Sequence, residues 1–152
     1  MVDQKNSELL QFDSIKQLVK QKCCGRYAKS LCDAISPQKY SKEIIVELNQ
    51  ANEIKTVLAD NGFFPTVEHE DITEELTVLN LEGSLLSETP LLKVLKTTEV
   101  INTLIRFLKG KKATMPYLFE LSENVDVCEI VVDQINSIID EEAQVKNTAP
   151  NE

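Results

Sequence analysis

The chain has 152 residues, 42% apolar and 27% charged, the balance of a folded domain rather than a disordered tail, and its length lets roughly 70% of the unfolded surface be buried. A net charge of −9 disfavours a phosphate backbone as partner unless the positive charges are segregated. No run of about 18 apolar residues could cross a bilayer, and the N-terminus lacks a cationic stretch leading into a long apolar one, so a cytoplasmic, non-membrane chain is expected.

Helical periodicity dominates from the start. Ile15, Leu18, Val19 and Lys22 recur at helical spacing behind Asp13, a residue able to accept backbone N–H bonds, which predicts a first helix over 14–23. Gly25 permits a bend, after which Tyr27, Ala28, Leu31 and Ile35 line a second helix that must stop before Pro37. Tyr40 or Ser41 opens a third, with Ile44, Leu48, Ala51 and Leu58 as its apolar stripe, Lys55 on the same stripe, and Asn61-Gly62 as its left-handed cap.

Asp71 with Glu74 three residues on resembles a capping box for a short helix carrying Ile72, Leu76 and Leu79, closed by Gly83. Thr89-Pro90 is the clearest helix start, because proline in the first turn gives up an N–H that has no partner there. The helix that follows reaches Gly110 with a predicted buried stripe of Val94, Leu95, Ile101, Ile105 and Leu108. Asp126 and Glu129 read as a further capping box, opening a last helix with Val127, Ile130, Val131, Ile135, Ile138 and Ile139.

No alternating strand pattern and no fixed-period repeat is present, so the predicted fold is all-α, an irregular bundle of about five to seven helices over residues 1–145. A subdomain seam is expected near 61–71, and 146–152 reads as a polar tail.

The chemistry-bearing residues are few. Cys23, Cys24, Cys32 and Cys128 lack C-x-x-C spacing and read as reduced structural thiols. Neither G-x-x-x-x-G-K-[ST] nor G-x-G-x-x-G occurs, so no catalytic, cofactor-binding or metal residue is assigned. The single histidine, His69, sits among Glu68, Glu70 and Asp71 in a polar link, where a solvated loop is the plainer reading than a metal site. Phe63 and Phe64 could stack on bases, but their acidic neighbours favour packing against the bundle. Lys109, Lys111 and Lys112 form the one basic spot recognised along the chain. It is read first as a dipole-stabilised helix end and second as a weak nucleic-acid contact.

Spaced landmarks carry a family resemblance. Leu10-x-Phe12-Asp13-x-Ile15, Cys24-Gly25-Arg26 and Ile35-Ser36-Pro37 are followed in order by Asn52-Glu53, Asp71-Ile72, Glu82-Gly83-Ser84-Leu85 and Met115-Pro116-x-Leu118. The close, Ile138-Ile139-Asp140-Glu141 leading to Val145-x-Asn147-x-Ala149-Pro150, is similar to I-D-x-x-G-x-V-x-D-x-A-S. Together they resemble the opening of MutS-related ATPases of the MutS-two branch. Glu142-Ala143 stands where that pattern has glycine, and Pro150 where serine is common.

The resemblance implies a core-and-lever-like structural segment without catalytic residues of its own. The ATP and Mg site of a homodimeric parent, and in many members a C-terminal nuclease domain, would lie beyond Glu152. It also implies other domains of the same polypeptide as partners, and branched DNA or a stalled ribosome as the parent's target, with recombination suppression or repair as its role. The phenylalanine wedge G-x-F-[YF]-E of mismatch-reading relatives is not matched by Gly62-Phe63-Phe64-Pro65. The rival expectation is a stand-alone helical interaction domain whose amphipathic face docks a partner.

Overall fold

The computed structural model describes residues 10–60 and 62–150. Among these the chain is all-α, with seven helices and no strand: α1 (Phe12–Lys20), α2 (Gly25–Ala34), α3 (Ser41–Ala59), α4 (Thr73–Leu79), α5 (Glu88–Gly110), α6 (Pro116–Glu120) and α7 (Glu129–Ile138). The expected helical bundle is thus the fold class observed. The chain divides into two compact units, Met1–Glu47 and Leu48–Glu152, with the boundary inside α3; residues 61–71 fall within the second unit.

The first unit is built on a helical hairpin. Gly25 has φ 77, a left-handed conformation open to glycine without a steric penalty, and it turns the chain from α1 into α2. Contacts run antiparallel: Lys20 Nζ donates to Asp33 Oδ2 at 2.6 Å, and Cys23 Sγ lies 3.3 Å from Cys32 Sγ. Asp13 is not the cap expected of it. Gln11 occupies that position, and Asp13 lies in the first turn of α1, its carboxylate 3.2 Å from Lys16 and near the positive end of the helix. Ile35 leaves the helix at φ −58 and ψ 124, two residues before Pro37.

The second unit has the main core. Val94 and Leu95 of α5 pack with Ile135 of α7 and with Ile139 just beyond it, and Ile72, Leu86, Leu91, Leu92 and Val132 surround them. Farther along α5, Ile105 is buried, as are Met115 and Leu118 around the start of α6. Pro116 at the first position of α6 makes Pro116–Glu120 a single helical turn.

The helix ends follow the local chemistry with small shifts. Ser87 precedes α5, so Thr89 and Pro90 fall within its first turn rather than at the cap. Asp71 Oδ1 accepts the Thr73 N–H at 3.1 Å and the Thr73 hydroxyl at 2.6 Å, setting the start of α4. Gly83 has φ 77 in the turn after α4. The α3 exit is closed by the Gly62 N–H donating to the Val57 carbonyl at 2.8 Å, so close that a Cβ at Gly62 would meet that oxygen at 2.8 Å. The Asn61 half of that expected cap lies outside the described residues.

Four predicted stripes are corrected. In the Leu48–Glu152 part of α3 the sheltered residues are Asn49, Gln50, Glu53, Ile54 and Val57, whereas Leu48, Ala51, Lys55 and Leu58 are exposed, as is Ile44. On α5 the buried line runs through Asn102 rather than Ile101, which is 44% exposed. On α4 Glu75 is buried while Leu76 and Leu79 face outward, and on α7 Ile130, Val131 and Ile138 face outward while Ile135 and Ile139 are covered. On α3 and α5 the cause is that Glu53 and Asn102, polar residues on the inward lines, bond to distant backbone N–H groups, so hydropathy alone selects a neighbouring face.

After α7 the chain makes a tight reversal. Ile139 and Val145 form an isolated antiparallel bridge, with Asp140 N–H donating to Gln144 O at 3.0 Å and Lys146 N–H to Ile138 O at 2.8 Å. Asp140 Oδ1 accepts the Glu142 and Gln144 N–H groups at 2.9 and 2.8 Å, and Ala143 takes φ 59. Lys146 Nζ donates to Asn136 O at 2.6 Å, so the expected polar tail begins as an ordered part of this turn.

Candidate functional site

The three lysines singled out from the sequence gather at the C-terminal end of α5. Lys109 Nζ lies 3.8 Å from Asp126 Oδ1, Lys112 Nζ stands 4.4 Å from the centre of the Phe119 ring, and the Lys111 N–H donates to Leu108 O at 3.0 Å. Two of the three cations therefore have local partners, and all sit where the helix dipole is negative.

Phe64 packs edge-on against Phe107 with ring centres 5.2 Å apart, and Phe63 meets the same ring at 6.5 Å while staying 77% exposed. His69 Nδ1 is 2.8 Å from the Val67 carbonyl oxygen, which holds the ring within its own link. Among the described residues no group of three His, Cys, Asp or Glu side chains is placed to hold a metal ion.

A groove of about 360 Å³ runs between α5 and α7, lined by Glu99, Thr103, Arg106, Glu129 and Asp133 among others. Arg106 forms an ion pair with Glu129 across it. The remaining carboxylates give it an acidic rim suited to a basic group, with no nucleophile and base paired within it.

Three polar clamps were not legible from the sequence. Glu53 on α3 accepts the Tyr117 and Leu118 N–H groups at 3.0 and 2.9 Å, so a carboxylate sits on the open donors at the start of α6. Asn102 Oδ1 on α5 accepts the Cys128 N–H at 2.8 Å and performs the same service at the start of α7, in place of the Asp126 expected there. Glu75 is bonded by Lys93 Nζ at 3.1 Å. Its own backbone N–H first, and Lys93 second, hold its carboxyl below the ordinary carboxylate range. Bonding to Glu75 raises Lys93 in turn. Each clamp joins residues far apart in sequence, which is why spacing rules do not find them.

The first unit also carries exposed apolar surface. Residues 1–47 hold eight of the sixteen Lys and Arg but only six of the 25 Asp and Glu, so they carry +2 while the rest of the chain carries −11. This segregation is readable from sequence by counting charge in halves, and it corrects the view that 109–112 is the one basic spot. Ile15, Leu18 and Val19 of α1, and Tyr27 and Leu31 of α2, are all exposed. On an antiparallel pair these strips lie a quarter turn from the line of contact in the same sense, so they share one side of the hairpin. Among the described residues of this unit only Cys32 is buried. Apolar surface of this kind, with basic neighbours, has the chemistry of a docking face.

Comparison with protein families, with curated proteins and with solved structures finds no match to this chain. Its function is therefore argued from its own residues. Among the described residues no helix is long and apolar enough to cross a membrane.

Proposed function

We propose that this chain is the non-catalytic helical N-terminal module of a MutS-related ATPase of the MutS-two branch. In this reading it is a stiff relay between the nucleotide-driven dimer of the parent and the part that engages branched DNA or a stalled ribosome. ATP and Mg would be bound by motifs downstream of Glu152.

The supporting observation is that several of the residues carrying the resemblance help hold the second unit together. Glu53 clasps the backbone of the Met115-Pro116-x-Leu118 segment, Asp71 bonds Thr73 at the start of α4 while Ile72 packs on the core, and Asp140 fixes the turn after α7. Ala143, at the family's glycine position in I-D-x-x-G-x-V, has the left-handed φ of 59 that glycine adopts without steric penalty. A substitution at that point leaves the turn geometry in place, and this is the departure one expects of a distant relative.

The uncovered apolar side of the α1–α2 hairpin is the specific observation that favours the rival reading, a stand-alone interaction domain. The reading frame past Glu152 separates the two. An in-frame G-x-x-x-x-G-K-[ST] several hundred codons downstream is the expected result. A natural stop codon at or shortly after Glu152 overturns the ATPase-module reading and leaves the interaction domain. In either case the purified chain should hydrolyse no nucleotide above buffer background, and turnover would refute the non-catalytic assignment.

A further inference from the structure

Cys23 and Cys32 are nine residues apart in sequence, and the hairpin brings their sulfurs to 3.3 Å. Both are free thiols; Cys23 is partly accessible at the end of α1, and Cys32 is buried on the inner side of α2. A disulfide needs an S–S separation of about 2.05 Å, so closing this pair moves the sulfurs by little more than an ångström. We propose that Cys23 and Cys32 form a dithiol modification site, which a small-molecule disulfide of the glutathione class converts reversibly into an intramolecular disulfide stapling α1 to α2.

The two thiols have different roles. The Cys23 thiolate attacks one sulfur of the small disulfide, whose S–S bond breaks to release one small thiolate, leaving a mixed disulfide on Cys23. Cys32 then loses its proton to solvent and attacks the Cys23 sulfur, expelling the second small thiol. The protein gives up two electrons and two protons, and the small disulfide takes them up as two thiols. Hydrogen bonding to Cys23, together with burial, pushes the Cys32 thiol above its ordinary value, which suits the resolving rather than the attacking role. As Cys32 is the one buried side chain among the described residues of this unit, a bond here would fix the hairpin that carries the exposed apolar strips.

The test uses the full chain, folded and in urea, equilibrated in buffers of varied oxidised-to-reduced glutathione ratio, acid-quenched, alkylated and weighed. The folded chain should lose two hydrogens and yield a Cys23–Cys32 link while Cys24 and Cys128 remain alkylatable. Its closing constant should exceed that of the urea-unfolded chain by at least about tenfold, since the fold and not chain proximity positions the sulfurs. Trypsin leaves Cys23 and Cys24 on one peptide. Fragmentation between them in the wild-type protein therefore assigns the bond, and Cys24→Ser should preserve the link while Cys23→Ser removes it. A link through Cys24, oxidation that stops at mixed disulfides, or a folded-to-unfolded ratio below tenfold would each overturn the proposal.

Discussion

Asn102 sits where periodicity would place an aliphatic side chain, so replacing it separates the two descriptions of α5. It is 3% exposed, and its amide oxygen is the acceptor for the Cys128 N–H at 2.8 Å. Asn102→Ala strands that donor in a covered position, at about 1–3 kcal/mol, and removes the cap of α7, whose loss in other helices costs about 0.5–2 kcal/mol. These describe one bond from two sides and do not add, so a net loss of about 1–3 kcal/mol is expected. Ile101→Ala removes a side chain already 44% exposed and should cost no more than about 1 kcal/mol, a fraction of the roughly 1.5–3 kcal/mol of full burial. Ile105→Ala, at 4% exposure, should cost about 2–5 kcal/mol through its cavity. Urea denaturation followed by far-UV circular dichroism gives the order, and amide exchange should show α7 loosening first in Asn102→Ala. For a chain of this size each kcal/mol is about 2–4 °C in Tm, so thermal melts resolve the difference. If Ile101→Ala proves as damaging as Asn102→Ala, α5 is rotated relative to the arrangement described and the capping argument fails.

Ala143→Gly should raise stability by about 1 kcal/mol, because it relieves a left-handed residue at φ 59; an unchanged or lower Tm refutes it. Glu53→Ala should cost about 2–3 kcal/mol and speed amide exchange at Tyr117 and Leu118, which lose their shared carboxylate; unchanged exchange there would show the clasp to be idle. The Glu75–Lys93 pair sets a pH dependence at both ends. The folded-state carboxyl of Glu75 is lowered, so its contribution is complete above about pH 4.3 and lost as pH falls through the lower folded value. Lys93 is raised, so its contribution is complete below about pH 10.4 and lost as pH rises through the higher folded value. Glu75→Gln should flatten both limbs, and limbs parallel to wild type would refute the coupling. The chain should bind branched DNA no tighter than about 10⁻⁶ M at near-physiological salt; tighter binding that survives Lys111→Glu with Lys112→Glu would shift attention to the basic hairpin.

What could be read from the sequence, and what could not, divides along the range of the interactions involved. Helix existence and most ends are local: Pro90 in a first turn, Asp71 bonding Thr73 two residues on, Gly62 closing on Val57 and Gly83 at φ 77 each act within a few residues, and each is visible as a residue type at a spacing. Helix orientation is not local. A steps-of-three-and-four pattern on α3 is satisfied both by Ile44, Leu48, Ala51 and Leu58 and by Gln50, Glu53, Ile54 and Val57, and hydropathy prefers the first set. The second set is sheltered because Glu53 reaches backbone donors more than sixty residues away, as Asn102 does at a separation of 26. An inward polar residue is costly unless its partner is present. The partner's position depends on the tertiary fold, which the window around the residue does not contain. Cys23 and Cys32 follow the same logic at shorter range: their spacing fits no metal or redox motif, and only the reversal at Gly25 makes them neighbours. The faces that hydropathy chose and the core did not use, Leu48 and Leu58 on α3, Leu76 and Leu79 on α4, and Ile130 and Ile138 on α7, remain exposed.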